Sequence, residues 1–172
     1  MLIILVGFMG SGKTSTGKRL ANRLGYTFID LDQLFEEKYR INVHRFFKKY
    51  DEFLYRDLER KLLTEHLHHQ NTILSTGGGT PCYSDNMEMI NRHGISVYIH
   101  MSPAALHQRL THAKKPRPLI LELKEEELLK QISKLLQDRE QYYSKAHIRV
   151  EGLSLDLEAL VGEIEHYADK GF

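Results

Sequence analysis

Met1-Leu2-Ile3-Ile4-Leu5-Val6-Gly7-Phe8-Met9-Gly10-Ser11-Gly12-Lys13-Thr14 decides the fold. The apolar run 2–6 ends on a glycine with no polar break, which suits a strand buried on both faces of a parallel sheet. Residues 7–14 match G-x-x-x-x-G-K-[ST] at every fixed position. A helical pattern then runs from Lys13 to about Leu24, with Gly25 as its stop. Strand, glycine loop and helix start, in that order, are what a phosphate cradle needs. Glycines let backbone N–H groups curl round a phosphate without Cβ clashes. The helix N-terminus adds unpaired donors and partial positive charge. Lys13 brings a full charge to the β- and γ-phosphates, and the Thr14 hydroxyl is placed to ligate Mg²⁺. Gly10, Ser11, Gly12, Lys13, Thr14 and Ser15 are therefore the expected contacts of a nucleoside triphosphate.

Outward from this loop, strand and helix patterns alternate. Strands are expected at 26–31, 71–75, 95–100 and 146–150. Helices are expected at about 33–68 in two or three pieces, then at 84–93, from 103, at 124–144 and at 156–168. Such alternation predicts an α/β parallel sheet. The basic, proline-containing stretch 111–118 reads as a loop, and no linker divides the chain. A chain of 172 residues is expected to be one domain. Lys plus Arg total 24 against 23 for Asp plus Glu, so neither a nucleic-acid nor a membrane partner is indicated. No apolar run of about 18 residues exists to span a membrane, and the first apolar stretch lacks the basic leader of a signal peptide. Cys82 is the single cysteine, so no internal disulfide forms, in keeping with a reducing, cytoplasmic setting.

A P-loop does not name a reaction. No Asn-Lys-x-Asp motif for guanine is present, and the short chain with a basic loop favours phosphoryl transfer to a small acceptor. Asp30-Leu31-Asp32 closes the second expected strand. If extended, the two carboxylates share a face and point into the crevice beyond the strand ends. One is then a candidate for holding Mg²⁺ through water, the other for taking or orienting the proton of an acceptor hydroxyl; the simpler alternative is a pair that caps the next helix. Arg56 and Arg139 are candidate forks for a carboxylate, against the plain alternative of solvated helix arginines. Gly77-Gly78-Gly79 is either a turn or a place where backbone meets a ligand closely. Arg117, between two prolines, is either part of a plain basic surface loop or a candidate to close over a triphosphate. His66, His68 and His69 read as surface residues, Cys82 as a packed thiol, and Phe46, Phe47, Phe53 and Tyr55 as either core or site wall, with Phe47 the candidate for the site.

Together these motifs resemble shikimate kinase over nearly the whole chain. Gly7–Thr14 matches that family's P-loop, and Phe28-Ile29-Asp30-Leu31-Asp32 its F-x-D-x-D. Tyr55-Arg56-Asp57-Leu58-Glu59 resembles its F-R-x-x-E, and Ser75–Gly79 its triple-glycine turn. Arg117-Pro118-Leu119-Ile120 resembles its lid, and Arg139-Glu140-Gln141-Tyr142 its late R-x-x-Y. The resemblance implies a nucleoside-monophosphate-kinase-like three-layer sandwich with a five-stranded parallel sheet. It also implies a helical substrate-binding segment at about 32–60 and a mobile lid at about 111–123. It gives Lys13 and Arg117 the ATP phosphates, Thr14 and Asp30 the Mg²⁺, and Asp32 the acceptor hydroxyl. Arg56 and Arg139 take the shikimate carboxylate, and Gly78, Gly79 and Phe47 the ring. The implied reaction turns ATP and shikimate into ADP and shikimate 3-phosphate, carried out by a monomer. The sequence departs from the family at Asp51, where glycine is usual, and at Tyr55, where phenylalanine is. Leu110 stands where some members carry an arginine near the adenine. A gluconate-type sugar acid kinase and a nucleotide-dependent regulatory module without an acceptor remain as alternatives.

Overall fold

Leu2–Val6 forms β1, and all of its residues are buried. Its alternating side chains feed two separate cores. Ile3 and Leu5 pack with Leu20, Ala21, Leu160, Val161 and Ile164. Leu2, Ile4 and Val6 join Leu62, Leu63, Met87, Ile90 and Ile132 on the opposite face. A strand covered on both faces has no solvent side to be polar, and that is why the run lacks alternation.

A computed structural model describes residues 1–112 and 125–171. Four further strands join β1: β2 (Thr27–Asp30), β3 (Thr72–Ser75), β4 (Ile95–His100) and β5 (Ile148–Glu151). All pairings are parallel, in the order β2-β3-β1-β4-β5, with Ile3 opposite Ile73 on one side and Ile95 on the other. The helices are α1 (Lys13–Leu24), α2 (Leu31–Tyr39), α3 (Val43–Lys49), α4 (Glu52–His66), α5 (Asn86–His93), α6 (Pro103–Thr111), α7 (Glu125–Tyr143) and α8 (Leu157–Asp169). A 3₁₀ turn covers Thr80–Cys82. Helices α1 and α8 cover one face of the sheet, and residues of α2 and α4–α7 pack on the other, giving three layers. The chain leaves β1 towards β2 on one side and leaves β3 towards β4 on the other. The order therefore reverses between β1 and β3, and the crevice beyond their carboxyl ends is where such sheets bind ligands.

One sequence expectation is corrected here. The second strand stops at Asp30, and Leu31 and Asp32 already belong to α2. Asp30 caps that helix, its Oδ1 accepting the backbone N–H of Asp32 at 3.1 Å. The pair is thus joined by a helix start, with no shared strand face. Asp51, where the family usually has glycine, has φ −83°, needs no left-handed backbone, and is the N-cap of α4, accepting the N–H of Leu54 at 2.7 Å. Smaller shifts follow from local bonding. The fifth strand begins at Ile148 because Ser144, Lys145 and Ala146 still donate back to residues 140–143 of α7. From residue 113 the expected lid, and Arg117 with it, lies outside the described residues.

Candidate active site

The loop between β1 and α1 wraps around its own lysine. Lys13 is buried, and its Nζ donates to the carbonyls of Gly7 at 2.7 Å and Phe8 at 2.9 Å. Gly10 and Gly12 have φ of 81° and 102°, a region that side chains with a Cβ rarely adopt. The Ser11 hydroxyl is buried at the centre of the loop with no hydrogen-bond partner among the described residues. A buried polar atom left so costs about 1–3 kcal/mol, and a phosphate oxygen is the kind of group that would satisfy it. Behind the loop stands α6. Leu110 packs under Gly10, and Arg109 donates from Nη1 to the Gly10 carbonyl at 3.3 Å. The arginine that reaches the P-loop from this helix is thus Arg109, the neighbour of Leu110. Gly152, after β5, comes against the Ser11 carbonyl, where a Cβ would lie at 3.0 Å.

Across the crevice, Thr14 Oγ1 donates to Asp30 Oδ2 at 2.8 Å, tying α1 to the end of β2. Lys13, Thr14, Ser15, Asp30, Asp32 and Gly78 help to line one cavity of about 430 Å³. A hydroxyl and two carboxylates on one wall are hard oxygen donors of the kind Mg²⁺ takes.

A second, smaller cavity of about 70 Å³ adjoins the first, sharing Met9, Asp32 and Gly78 with it. Its other walls include Val43 and Phe47 of α3, Tyr55, Arg56 and Glu59 of α4, Gly77 and Gly79, and Arg139 of α7. Phe47 packs against Tyr55 with ring centroids 4.6 Å apart and the planes tilted by 45°. Tyr55 is buried, and its hydroxyl has Glu59 Oε1 at 3.4 Å. Arg56 is buried; its Nη1 donates to Glu59 Oε2 at 2.7 Å, while Nε and Nη2 reach Glu52 Oε1 at 3.3 and 3.2 Å. Burial alone would lower the Arg56 pKa, but the charge and hydrogen bond of Glu59 outweigh it and hold the guanidinium more firmly charged than usual. Arg139 differs. It stacks over the Phe8 ring at 5.4 Å and makes no ion pair among the described residues. Just outside both arginines a hollow of about 240 Å³ is lined by Phe53, Cys82 and Tyr83. Burial pushes the Cys82 thiol up to about 11, so it stays protonated at neutral pH and is no nucleophile.

Asp30, Asp32, Phe47, Arg56, Gly78, Gly79, Arg139 and the P-loop residues are therefore gathered at one end of the sheet. The glycines matter for the space they leave. A Cβ on Gly79 would lie 2.2 Å from Arg56 Nη2, and one on Gly77 2.5 Å from Glu59 Oε1. Sequence reasoning assigned no role to Glu59, although the spacing Arg56-x-x-Glu59 puts the two on one helix face. The tyrosine that reaches the glycine turn is Tyr143, fully buried, its hydroxyl donating to the Gly78 carbonyl.

With that geometry in place, comparisons with known proteins agree. Residues 9–166 match the family model described as "Shikimate kinase". A shikimate kinase of Phocaeicola vulgatus is 44% identical over 144 residues, covering 84% of this chain and 82% of its own. The solved shikimate kinase of Bacteroides thetaiotaomicron superposes with a TM-score of 0.89 at 36% identity, covering 98% of both chains. That of Acinetobacter baumannii, solved in complex with shikimate, gives 0.85 at 32% identity, covering 98% of this chain and 93% of its own. The chain belongs to the shikimate kinase family.

Proposed function

We infer that this chain transfers the γ-phosphoryl group of ATP to the 3-hydroxyl of shikimate, giving shikimate 3-phosphate and ADP on the route to chorismate and aromatic amino acids. One observation carries this reading. Asp32 stands on the wall common to a P-loop cavity and a small pocket flanked by two arginines. An acceptor that is a small hydroxylated ring acid fits that pocket. Its carboxylate meets Arg56 and Arg139, its ring lies against Phe47 and the backbone of Gly78 and Gly79, and its hydroxyl faces Asp32.

In this account Gly10, Ser11, Gly12, Lys13, Thr14 and Ser15 hold the triphosphate, and Lys13 offsets charge on its β- and γ-phosphates. Mg²⁺, for which Thr14 and Asp30 are suitable ligands directly or through water, would neutralise developing phosphate charge. Asp32 aligns the acceptor oxygen with the γ-phosphorus and receives its proton, as base or as orienter. Arg117 takes a further phosphate contact by resemblance. Burying the reacting groups keeps water from competing as acceptor. Residues 1–172 act as one P-loop kinase domain, with about 32–60 as its acceptor-binding segment. The domain is a cytoplasmic monomer needing neither membrane nor nucleic acid. Among the described residues no helix is long and apolar enough to cross a bilayer.

ADP release should be measured with shikimate, with gluconate and with no acceptor. The reading expects turnover with shikimate alone. Phosphorylation of gluconate but not shikimate overturns it in favour of a sugar acid kinase, and unstimulated slow hydrolysis in favour of a regulatory module.

A further inference from the structure

We propose that Thr80 is a positioning residue for the acceptor carboxylate, acting through Glu59 on the Arg56 fork. The proposal rests on the reading of Arg56 given above. Thr80 is the first residue after the triple-glycine turn, fully buried, and belongs to none of the motifs read from the sequence. Its Oγ1 donates to Glu59 Oε1 at 2.6 Å. The other carboxylate oxygen, Oε2, accepts from Arg56 Nη1 at 2.7 Å. Oε1 also has the Tyr55 hydroxyl at 3.4 Å, a much longer contact; the short bonds to the two oxygens of this buried carboxylate thus come from two donors on different segments, which fixes the carboxylate plane.

This division decides where the arginine points. A carboxylate free to turn engages a guanidinium through both oxygens, in two parallel hydrogen bonds. Glu59 so released would take the two terminal nitrogens of Arg56 for itself. Thr80 withholds one oxygen. Arg56 then spends three hydrogen bonds on Glu59 and Glu52, out of the five N–H groups of a guanidinium. One N–H on each terminal nitrogen is left for a ligand carboxylate.

Thr80 itself is held still. Its carbonyl accepts from Asn86 Nδ2 at 2.8 Å, and Asn86 Oδ1 accepts from Arg60 of α4. Arg60 also pairs with Asp85 at 2.6 Å. Neighbouring residues of α4, Glu59 and Arg60, therefore grip the glycine turn at both its side chain and its backbone. The Glu59–Thr80 bond occupies the space that Gly77 leaves by lacking a Cβ, which would stand 2.9 Å from Thr80 Oγ1.

Thr80→Val removes the hydroxyl at nearly constant volume. Losing one hydrogen bond to a buried charged group should raise the KM for shikimate about tenfold. The KM for ATP and kcat should stay within about twofold of wild type. Thr80→Ser should restore the shikimate KM. A merely structural role would lower Tm and leave the shikimate KM alone, or disturb both substrates equally; either result overturns the proposal. Should Thr80→Val fail to fold, Thr80→Ala is read by the same criteria. Arg56→Lys in the same assay separates the two claims. If it raises the shikimate KM and folded Thr80→Val does not, only the positioning role fails; if it leaves that KM unchanged, the assignment of Arg56 fails and the positioning role with it.

Discussion

Asp32 is the residue on which two cavities meet, and its contribution should appear in turnover. Asp32→Asn keeps the shape and most of the hydrogen bonding but loses the charge that attracts the acceptor proton. Its kcat should fall by about 10²–10⁴-fold, the usual worth of a positioned acid or base, with the circular dichroism spectrum unchanged. Near-normal turnover would show that Asp32 is neither base nor essential orienter. The arginines divide their labour differently. Arg56 arrives already neutralised by Glu59 and Glu52, whereas Arg139 has no ion-pair partner among the described residues. Arg139 therefore supplies the uncompensated positive charge of the acceptor pocket. Arg139→Lys keeps the charge but replaces a planar fork by a point donor. The KM for shikimate should rise about tenfold to a hundredfold, for one charge-assisted hydrogen bond lost, and an unchanged KM would remove Arg139 from the clamp.

The helix that carries Arg56 depends on its cap. Asp51 accepts the Leu54 N–H, in ordinary extended backbone, at the start of α4. Asp51→Ala should lower stability by about 1 kcal/mol, and Asp51→Gly by only a few tenths, as read from urea denaturation midpoints. A glycine more stable than the aspartate would contradict the capping role. The far edge of the sheet has a pH-sensitive joint. His147, just before β5, has Nδ1 within 3.3 Å of the Ser96 N–H, which it accepts, and burial holds its pKa below the usual range. The folded protein thus binds that proton less readily than the unfolded chain. The associated stability is complete above about pH 6.5, the ordinary histidine value, and is lost as pH falls through the depressed folded value. His147→Asn, which keeps an acceptor for Ser96, should flatten this part of a Tm-against-pH curve; an unaltered curve would show that His147 is not its source. Of these elements, sequence periodicity located the helices and strands to within about two residues. It misplaced the start of α2 because Asp30 serves as strand end and helix cap at once. It missed the Glu59–Thr80–Asn86 chain because that chain joins segments distant in sequence, and no local spacing announces it.

At the scale of the whole molecule, the two halves of the site were unequally legible. The P-loop binds phosphate largely through backbone, so eight contiguous residues, 7–14, carry its whole signal. The acceptor pocket draws Asp32, Phe47, Arg56, Gly78 and Arg139 from separate segments that only the sheet order brings together. Those residues were nameable from family resemblance, and each arginine read alone looked like a helix surface. Arg109 and Tyr143 had no role in that reading, and only the packing of α6 and α7 brings them to the P-loop and the glycine turn. The joining of the cavities at Asp32 is the central claim, because it turns a nucleotide site into a transferase. The most direct test follows the γ-phosphorus of ATP by ³¹P NMR in the presence of shikimate and the protein. The account predicts a phosphomonoester on the 3-oxygen of the ring, accumulating with ADP in equal amounts. Release of that phosphorus only as inorganic phosphate, at a rate indifferent to shikimate, would contradict it.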